Sequence, residues 1–225
     1  MAIKAIITGA TGMVGEGVLG ACLNSPDVEA VLIINRKPSG FSHPKLKEIV
    51  HNDFFNLAPV ANQLSGYNAC YFCLGVSVVG MKEKDYDHTT YDLTLNFAKT
   101  LLEKNPSMTF CYVSGSGTDS TEKGKTMWAR IKGKTENDLM KLPFNNVYAF
   151  RPGIMIPAKG AKNIVRFYRV FALLMPLLKL IIPNQLLKLH DVGNAMIYLT
   201  QHDYEKNHIE ISDIRKITEL QHKKA

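Results

Sequence analysis

Thr8-Gly9-Ala10-Thr11-Gly12-Met13-Val14-Gly15 carries the strongest local signal in this chain. Its three glycines, spaced three apart, follow an apolar, β-branched run from Ile3 to Thr8 and open an amphipathic stretch from Met13 to Leu23. That order is strand, turn, helix. Asn24-Ser25-Pro26-Asp27 then stops the helix, and Ala30 to Ile34 begins a second strand. In a β-α-β unit of this kind the first glycine permits the tight turn and the second lets backbone approach a pyrophosphate. The third allows close helix-strand packing, and the helix N-terminus faces the anion. A turn that merely needed glycine for its backbone would not require this context. Gly9, Thr11, Gly12, Met13, Val14 and Gly15 are therefore expected to hold the phosphates of a dinucleotide.

The end of the second strand selects between dinucleotides, because an acidic side chain there would bind a ribose 2′-hydroxyl and repel a 2′-phosphate. The chain reads Asn35-Arg36-Lys37 instead. A guanidinium at that place can pair with a 2′-phosphate through its fork, so the sequence favours NADP over NAD. Arg36 and Lys37 as a solvated turn is the competing reading.

Farther along, Ile49 to His51 reads as a short strand and Cys70 to Leu74 as a strong one, followed by a helix from about Tyr86 to Lys104. Met108 to Ser114 then reads as strand, Met127 to Leu142 as helix and Val147 to Arg151 as strand. Strands alternating with helices predict an α/β fold, a doubly wound parallel sheet of Rossmann type flanked by helices. The 225 residues, 46% of them apolar, suit one domain. Residues 1–153 form its cofactor-binding core and 154–225 a C-terminal subregion. After Arg151-Pro152-Gly153 the alternation weakens, and residues 161–190, rich in Leu, Ile, Phe and Met, predict a small helical subregion on the substrate side. Within the apolar segment 164–189, Phe171 to Leu178 is far shorter than the roughly 18 residues a membrane span needs, and Pro176 and Lys179 interrupt it. A buried or homodimer-forming helix pair is preferred there over contact with a membrane surface.

Composition narrows the function classes. Cys22, Cys70, Cys73 and Cys111 all lie in apolar runs and no signal-type leader precedes them, so a reduced, cytoplasmic protein is expected. Cys70 and Cys73, three apart on a strand, point to opposite faces and do not suggest a redox pair. The seven histidines show no metal-ligand spacing on one element, so no metal is expected. The net charge of +7 is diffuse, without the basic stripe interleaved with aromatics that nucleic-acid binders use, so nucleic acid is not expected as a partner.

The glycine turn, the strand ending Cys73-Leu74-Gly75, the strand end Val113-Ser114-Gly115-Ser116 and Arg151-Pro152-Gly153 together resemble the extended and atypical short-chain dehydrogenase/reductases. The resemblance covers about residues 3–160. Within the superfamily the chain looks most like the small NADP-binding, epimerase-like branch of TIP30-like (HTATIP2) proteins. The resemblance implies that Asp53 and Phe54 lie beside the adenine and that Leu74 and Gly75 line the adenosine ribose. It also implies that Lys132 bonds the nicotinamide ribose and that Ser116 polarises a substrate carbonyl, with Ser114 as the nearby second choice. Turn chemistry at a strand end is the bland reading of both serines.

One departure bears on chemistry. The family's Tyr-x-x-x-Lys stands here as Trp128-Ala129-Arg130-Ile131-Lys132. A phenol beside the lysine performs general acid-base work, whereas an indole N–H donates a hydrogen bond but does not titrate near neutral pH. Helical spacing still puts 128 and 132 one turn apart on one face. Two readings follow. In one the protein is an NADPH-dependent oxidoreductase on a small or apolar carbonyl-type substrate, with Ser116 and Lys132 in place and the proton supplied by water or by Tyr112, Asp119 or Tyr91. In the other it is a catalytically silent NADP sensor for a protein partner. A sugar-nucleotide epimerase ranks third, because little chain follows Gly153 to hold a nucleotide sugar.

Overall fold

A computed structural model describes residues 1–156 and 186–222. The apolar, β-branched runs form the strands β1 (Ile3–Thr8), β2 (Val28–Asn35), β3 (Leu46–Val50), β4 (Ala69–Phe72), β5 (Thr109–Val113) and β6 (Asn146–Phe150). Among the described residues these join with β9 (His208–Ile209) in a seven-stranded sheet of order β3-β2-β1-β4-β5-β6-β9. Every neighbouring pair is parallel. The strand order reverses direction between β1 and β4, and ligands of open α/β sheets bind at such a switch point, beyond the strands' carboxyl ends.

Alternate residues of each strand feed opposite faces. Ile3, Ala5 and Ile7 pack with Val18 and Cys22 of α1 (Met13–Asn24), Val192 and Met196 of α5 (Leu189–Gln201), and Ile214 and Ile217 of α6 (Ile211–His222). Ile6, Leu32, Cys70 and Phe72 pack on the other face with Phe97 and Leu101 of α3 (Leu93–Lys104) and Leu139 of α4 (Met127–Leu139). Each fully buried Ile or Phe in these clusters contributes about 1.5–3 kcal/mol. The sheet is therefore covered on both sides, as a parallel sheet with helical crossovers must be, and the doubly wound Rossmann expectation holds.

Boundaries moved by a few residues. The helix expected from Tyr86 starts earlier, as α2 (Glu83–Asp87), and passes through one wide π turn, His88–Asp92, before continuing as α3. α4 stops at Leu139 rather than Leu142, because Pro143 disfavours helical backbone at the residue before it. A two-stranded parallel sheet of β7 (Ile154–Ile156) and β8 (Leu186–Lys188) leads into α5. Most of the apolar segment 164–189, with its dimer and membrane-surface readings, lies outside the described residues. All four cysteines are free thiols, Cys70 and Cys73 serve opposite faces as expected, and burial pushes the Cys73 thiol up to about 12.

Candidate functional site

The glycine loop is built by backbone contacts that only glycine tolerates. Gly9 has φ +68°, and a Cβ there would stand 2.7 Å from the Cys73 carbonyl oxygen. At Gly15 a Cβ would stand 2.1 Å from the Gly9 carbonyl oxygen, so α1 rests directly on the turn. The Gly12 N–H donates to Gly9 O at 2.9 Å and closes the turn. Gly12 is the N-cap of α1 and no side chain caps that helix start, so its first-turn amides keep their capacity for an anion. Thr11 and Gly12 are exposed, while Met13 and Val14 are half-buried. Thr8 Oγ1 accepts the Leu74 N–H at 3.3 Å and ties the ends of β1 and β4 together at the switch point. Leu74 is half-buried and Gly75 exposed on the same rim. A cradle that a methyl group would fill, an uncapped helix start and a tied switch point fit a dinucleotide pyrophosphate.

At the end of β2, Asn35 is only 5% exposed, whereas Arg36 and Lys37 are exposed and carry no hydrogen bond or ion pair among the described residues. Asp53 is exposed, and its Oδ1 accepts the Phe55 N–H at 2.9 Å and the Asn56 N–H at 3.3 Å. The Phe54 ring is buried in the core, stacked on Phe97 with centroids 6.0 Å apart. What that turn offers a ligand is therefore Asp53 and the backbone rather than the Phe54 ring.

The second half of the site forms where β5 ends and α4 begins. Ser114 is buried, and its hydroxyl donates to the Phe150 carbonyl at 3.0 Å. Ser116 is exposed, with its N–H anchored on Pro152 O at 2.9 Å. The strand end thus turns one serine into structure and presents the other. The Trp128 ring lies over this loop, where a Cβ on Gly117 would be 3.7 Å from its Cη2. Lys132, one helical turn on, donates from Nζ to the Ser114 carbonyl oxygen. Burial pushes its ammonium down to about 8, against the opposing pull of the Glu136 carboxylate. Ser114, Ser116, Trp128 and Lys132 are thus gathered at one corner.

The candidate proton donors are engaged elsewhere. Tyr112 is buried within the core and its phenol is pushed up by burial. Tyr91 donates to Asp138 Oδ2 at 2.7 Å, and that bond together with burial pushes its phenol up to about 12. Asp119 accepts from Thr121 and Gly124 in its own loop, which holds its carboxyl below the usual range.

Sequence reasoning missed a buried charge cluster behind Lys132. Glu136, wholly buried one turn further along α4, receives two hydrogen bonds from Arg151, through Nε at 3.1 Å and through Nη2. Arg151 also reaches Glu210 at 3.2 Å, and His208 Nε2 lies 3.4 Å from Glu136. Its sequence signal was the helical spacing of Lys132 and Glu136 together with Arg151 of the Arg-Pro-Gly motif. No spacing rule joins α4 to β6 and β9.

No family model matches the chain. It is 27% identical over 140 residues to leucinostatins biosynthesis cluster protein T of Purpureocillium lilacinum, covering 61% of this chain but only 51% of that protein, so the chain spans about half the length of that relative. With the mitochondrial protein fmp52 of Aspergillus clavatus the identity is 30% over 183 residues, covering 76% of both chains. The chain belongs to the FMP52 family. Relatives of that family from Aspergillus clavatus, Candida albicans and Scheffersomyces stipitis are named mitochondrial proteins, which overturns the expected cytoplasmic location. Buried free cysteines do not distinguish a mitochondrial compartment from the cytoplasm. Among solved structures, a UDP-N-acetylglucosamine 4-epimerase from Methanobrevibacter ruminantium superposes with a TM-score of 0.68 at 16% identity over 93% of this chain and 76% of its own. The Bordetella bronchiseptica enzyme WbmF, in complex with NAD+, superposes with a TM-score of 0.67 at 12% identity over 99% and 79%. The FMP52-family chain thus shares the Rossmann-type fold of these enzymes.

Proposed function

We propose that this chain is an NADP(H)-dependent oxidoreductase of the short-chain dehydrogenase/reductase type, acting on a small or apolar carbonyl-type substrate, with NAD(H) as the weaker ligand. The observation that carries the reading is Lys132. A charged ammonium is kept in a buried corner beside Ser116 and Trp128, where an apolar side chain would be less costly, and such burial of a titratable group in a cleft marks functional sites. The glycine cradle supports the dinucleotide, and Arg36, exposed and without an ion pair among the described residues, supports the 2′-phosphate. When bound, the dinucleotide supplies or accepts hydride. Lys132 would hold the nicotinamide ribose, with its ammonium aligned by the Ser114 carbonyl. Ser116 would donate to a carbonyl oxygen, and the Trp128 indole N–H is a second donor at the same corner. Because Trp128 does not titrate, the proton comes from solvent or from Lys132. The resemblance to the TIP30-like branch supports the NADP link, and the mitochondrial names of FMP52 relatives support a mitochondrial location.

Trp128 also favours a second reading, in which NADP is bound without turnover and gauged by a protein partner. One experiment separates the two. Trp128 is the sole tryptophan, so NADPH seated beside it should quench its emission and take up the energy as dihydronicotinamide fluorescence. The same samples are then offered aldehydes, enones, quinones and keto-sugars while absorbance at the dihydronicotinamide band is followed. Energy transfer with turnover that Lys132→Ala abolishes is the expected result. Transfer without turnover across the panel favours the sensor, and no transfer and no binding refutes both.

A further inference from the structure

The structure supplies, from a neighbouring strand, the carboxylate that β2 lacks. Glu48 of β3 lies opposite Ile33 in the parallel register, on the face that Asn35 shares, since residues two apart on a strand point the same way. Its Oε1 accepts the Asn35 Nδ2–H at 2.8 Å and the Ser39 N–H at 2.9 Å. The carboxylate is thereby fixed at the carboxyl end of β2, under the loop that starts with Arg36 and Lys37. Burial would raise its pKa, but the bonds from Asn35 and Ser39 outweigh that and hold it below the usual range, so the group is ionised at neutral pH. No Lys or Arg pairs with Glu48 among the described residues. The negative charge is therefore not cancelled by an ion pair at the strand end where this fold places the adenosine ribose.

Resting on the dinucleotide reading above, we propose that Glu48 is a specificity-determining residue of the adenosine-ribose end. It opposes a 2′-phosphate that Arg36 attracts, and it holds the preference for NADP(H) low enough that NAD(H) binds as well. The end of β2 alone, Asn35-Arg36-Lys37, speaks only for the 2′-phosphate. The opposing charge lies 13 residues away from Asn35 in sequence and reaches the position through strand pairing.

A residue that merely staples the 36–45 loop would make the same two hydrogen bonds, so the test must separate charge from shape. Glu48→Gln does so, because its amide oxygen can accept from Asn35 and Ser39 while the charge is gone. Dissociation constants of NADPH and NADH for the full chain, read from Trp128 quenching at low salt, are compared for wild type, Glu48→Gln and Arg36→Ala. Glu48→Gln should tighten NADPH about fivefold with NADH changed less than twofold, as expected when one unit charge near a doubly charged phosphate is removed in a largely aqueous setting. The gain should fade in 0.5 M salt. Arg36→Ala should move the ratio the other way. An NADPH/NADH ratio in Glu48→Gln equal to that of wild type, with both nucleotides still bound, overturns the proposal and leaves the dinucleotide reading intact. A wild type that binds neither nucleotide overturns both.

Discussion

Replacing Lys132 with methionine should stabilise the protein while removing its hold on the cofactor. The ammonium sits beside the Ser114 carbonyl, in a corner whose burial pulls its pKa to about 8, whereas in the unfolded chain it titrates as an ordinary lysine near 10.4. Between those values the unfolded state binds more protons than the folded one, so stability rises with pH through this window. At pH 7 the lysine is protonated in both states and its burial is unfavourable by about 3 kcal/mol. By pH 9.5 about 2 kcal/mol of that penalty is gone, because the folded lysine has released its proton. Methionine keeps the length and packing without the charge. It forfeits the hydrogen bond to the Ser114 carbonyl, worth about 1 kcal/mol, so the net gain at pH 7 is about 2 kcal/mol. For a chain of this size that raises Tm by roughly 4–8 °C. Thermal melts of wild type and Lys132→Met at pH 7 and pH 9.5, followed by circular dichroism, measure the difference and cancel every other titrating group. The gap should close at pH 9.5, and NADPH should stabilise the wild type only. A variant less stable than wild type at pH 7, by a margin that does not move with pH, would show that the Lys132 ammonium carries no burial penalty.

Gly15→Ala should lower NADPH affinity at least tenfold, because its Cβ would enter the Gly9 carbonyl; Gly20→Ala, with nothing within 4 Å of its Cβ on the same helix, should leave binding unchanged and stabilise the fold by about 0.5–1 kcal/mol in urea titrations. Arg151→Met should destabilise by about 3–5 kcal/mol, since it strands the wholly buried Glu136. Adding Glu136→Gln to it should recover much of that loss, and equal urea midpoints for the single and double variants would count against the buried pair.

The local chemistry of the chain was enough to announce a doubly wound fold. Glycine where only glycine fits, β-branched apolar runs and helix stops at Pro26 and near Pro143 are encoded within a few residues of where they act. Their reading misplaced some element ends, as at α2, where the wide turn through His88–Asp92 has no residue that breaks a helix, and it left unread β7, β8 and β9 and the helices α5 and α6, which pack against the sheet. At the site, Gly9, Gly15 and the pairing of Trp128 with Lys132 were legible for the same reason, namely that a turn or one helical repeat fixes their geometry. The resemblance put Phe54 beside the adenine with Asp53, whereas packing against Phe97 sends its ring inward. The resemblance ranked Ser116 ahead of Ser114, and it is the Phe150 carbonyl, on the neighbouring strand, that engages Ser114 while Ser116 stays exposed.

The chain's own residues settled the β-α-β unit and its glycine turn, because backbone sterics and periodicity are short-range. Tertiary structure decided which charges meet. Glu48 reaches the end of β2 through β3, and Arg151 and His208 reach Glu136 through β6 and β9. A parallel sheet brings together side chains from distant crossovers, and no local spacing reports which of them meet.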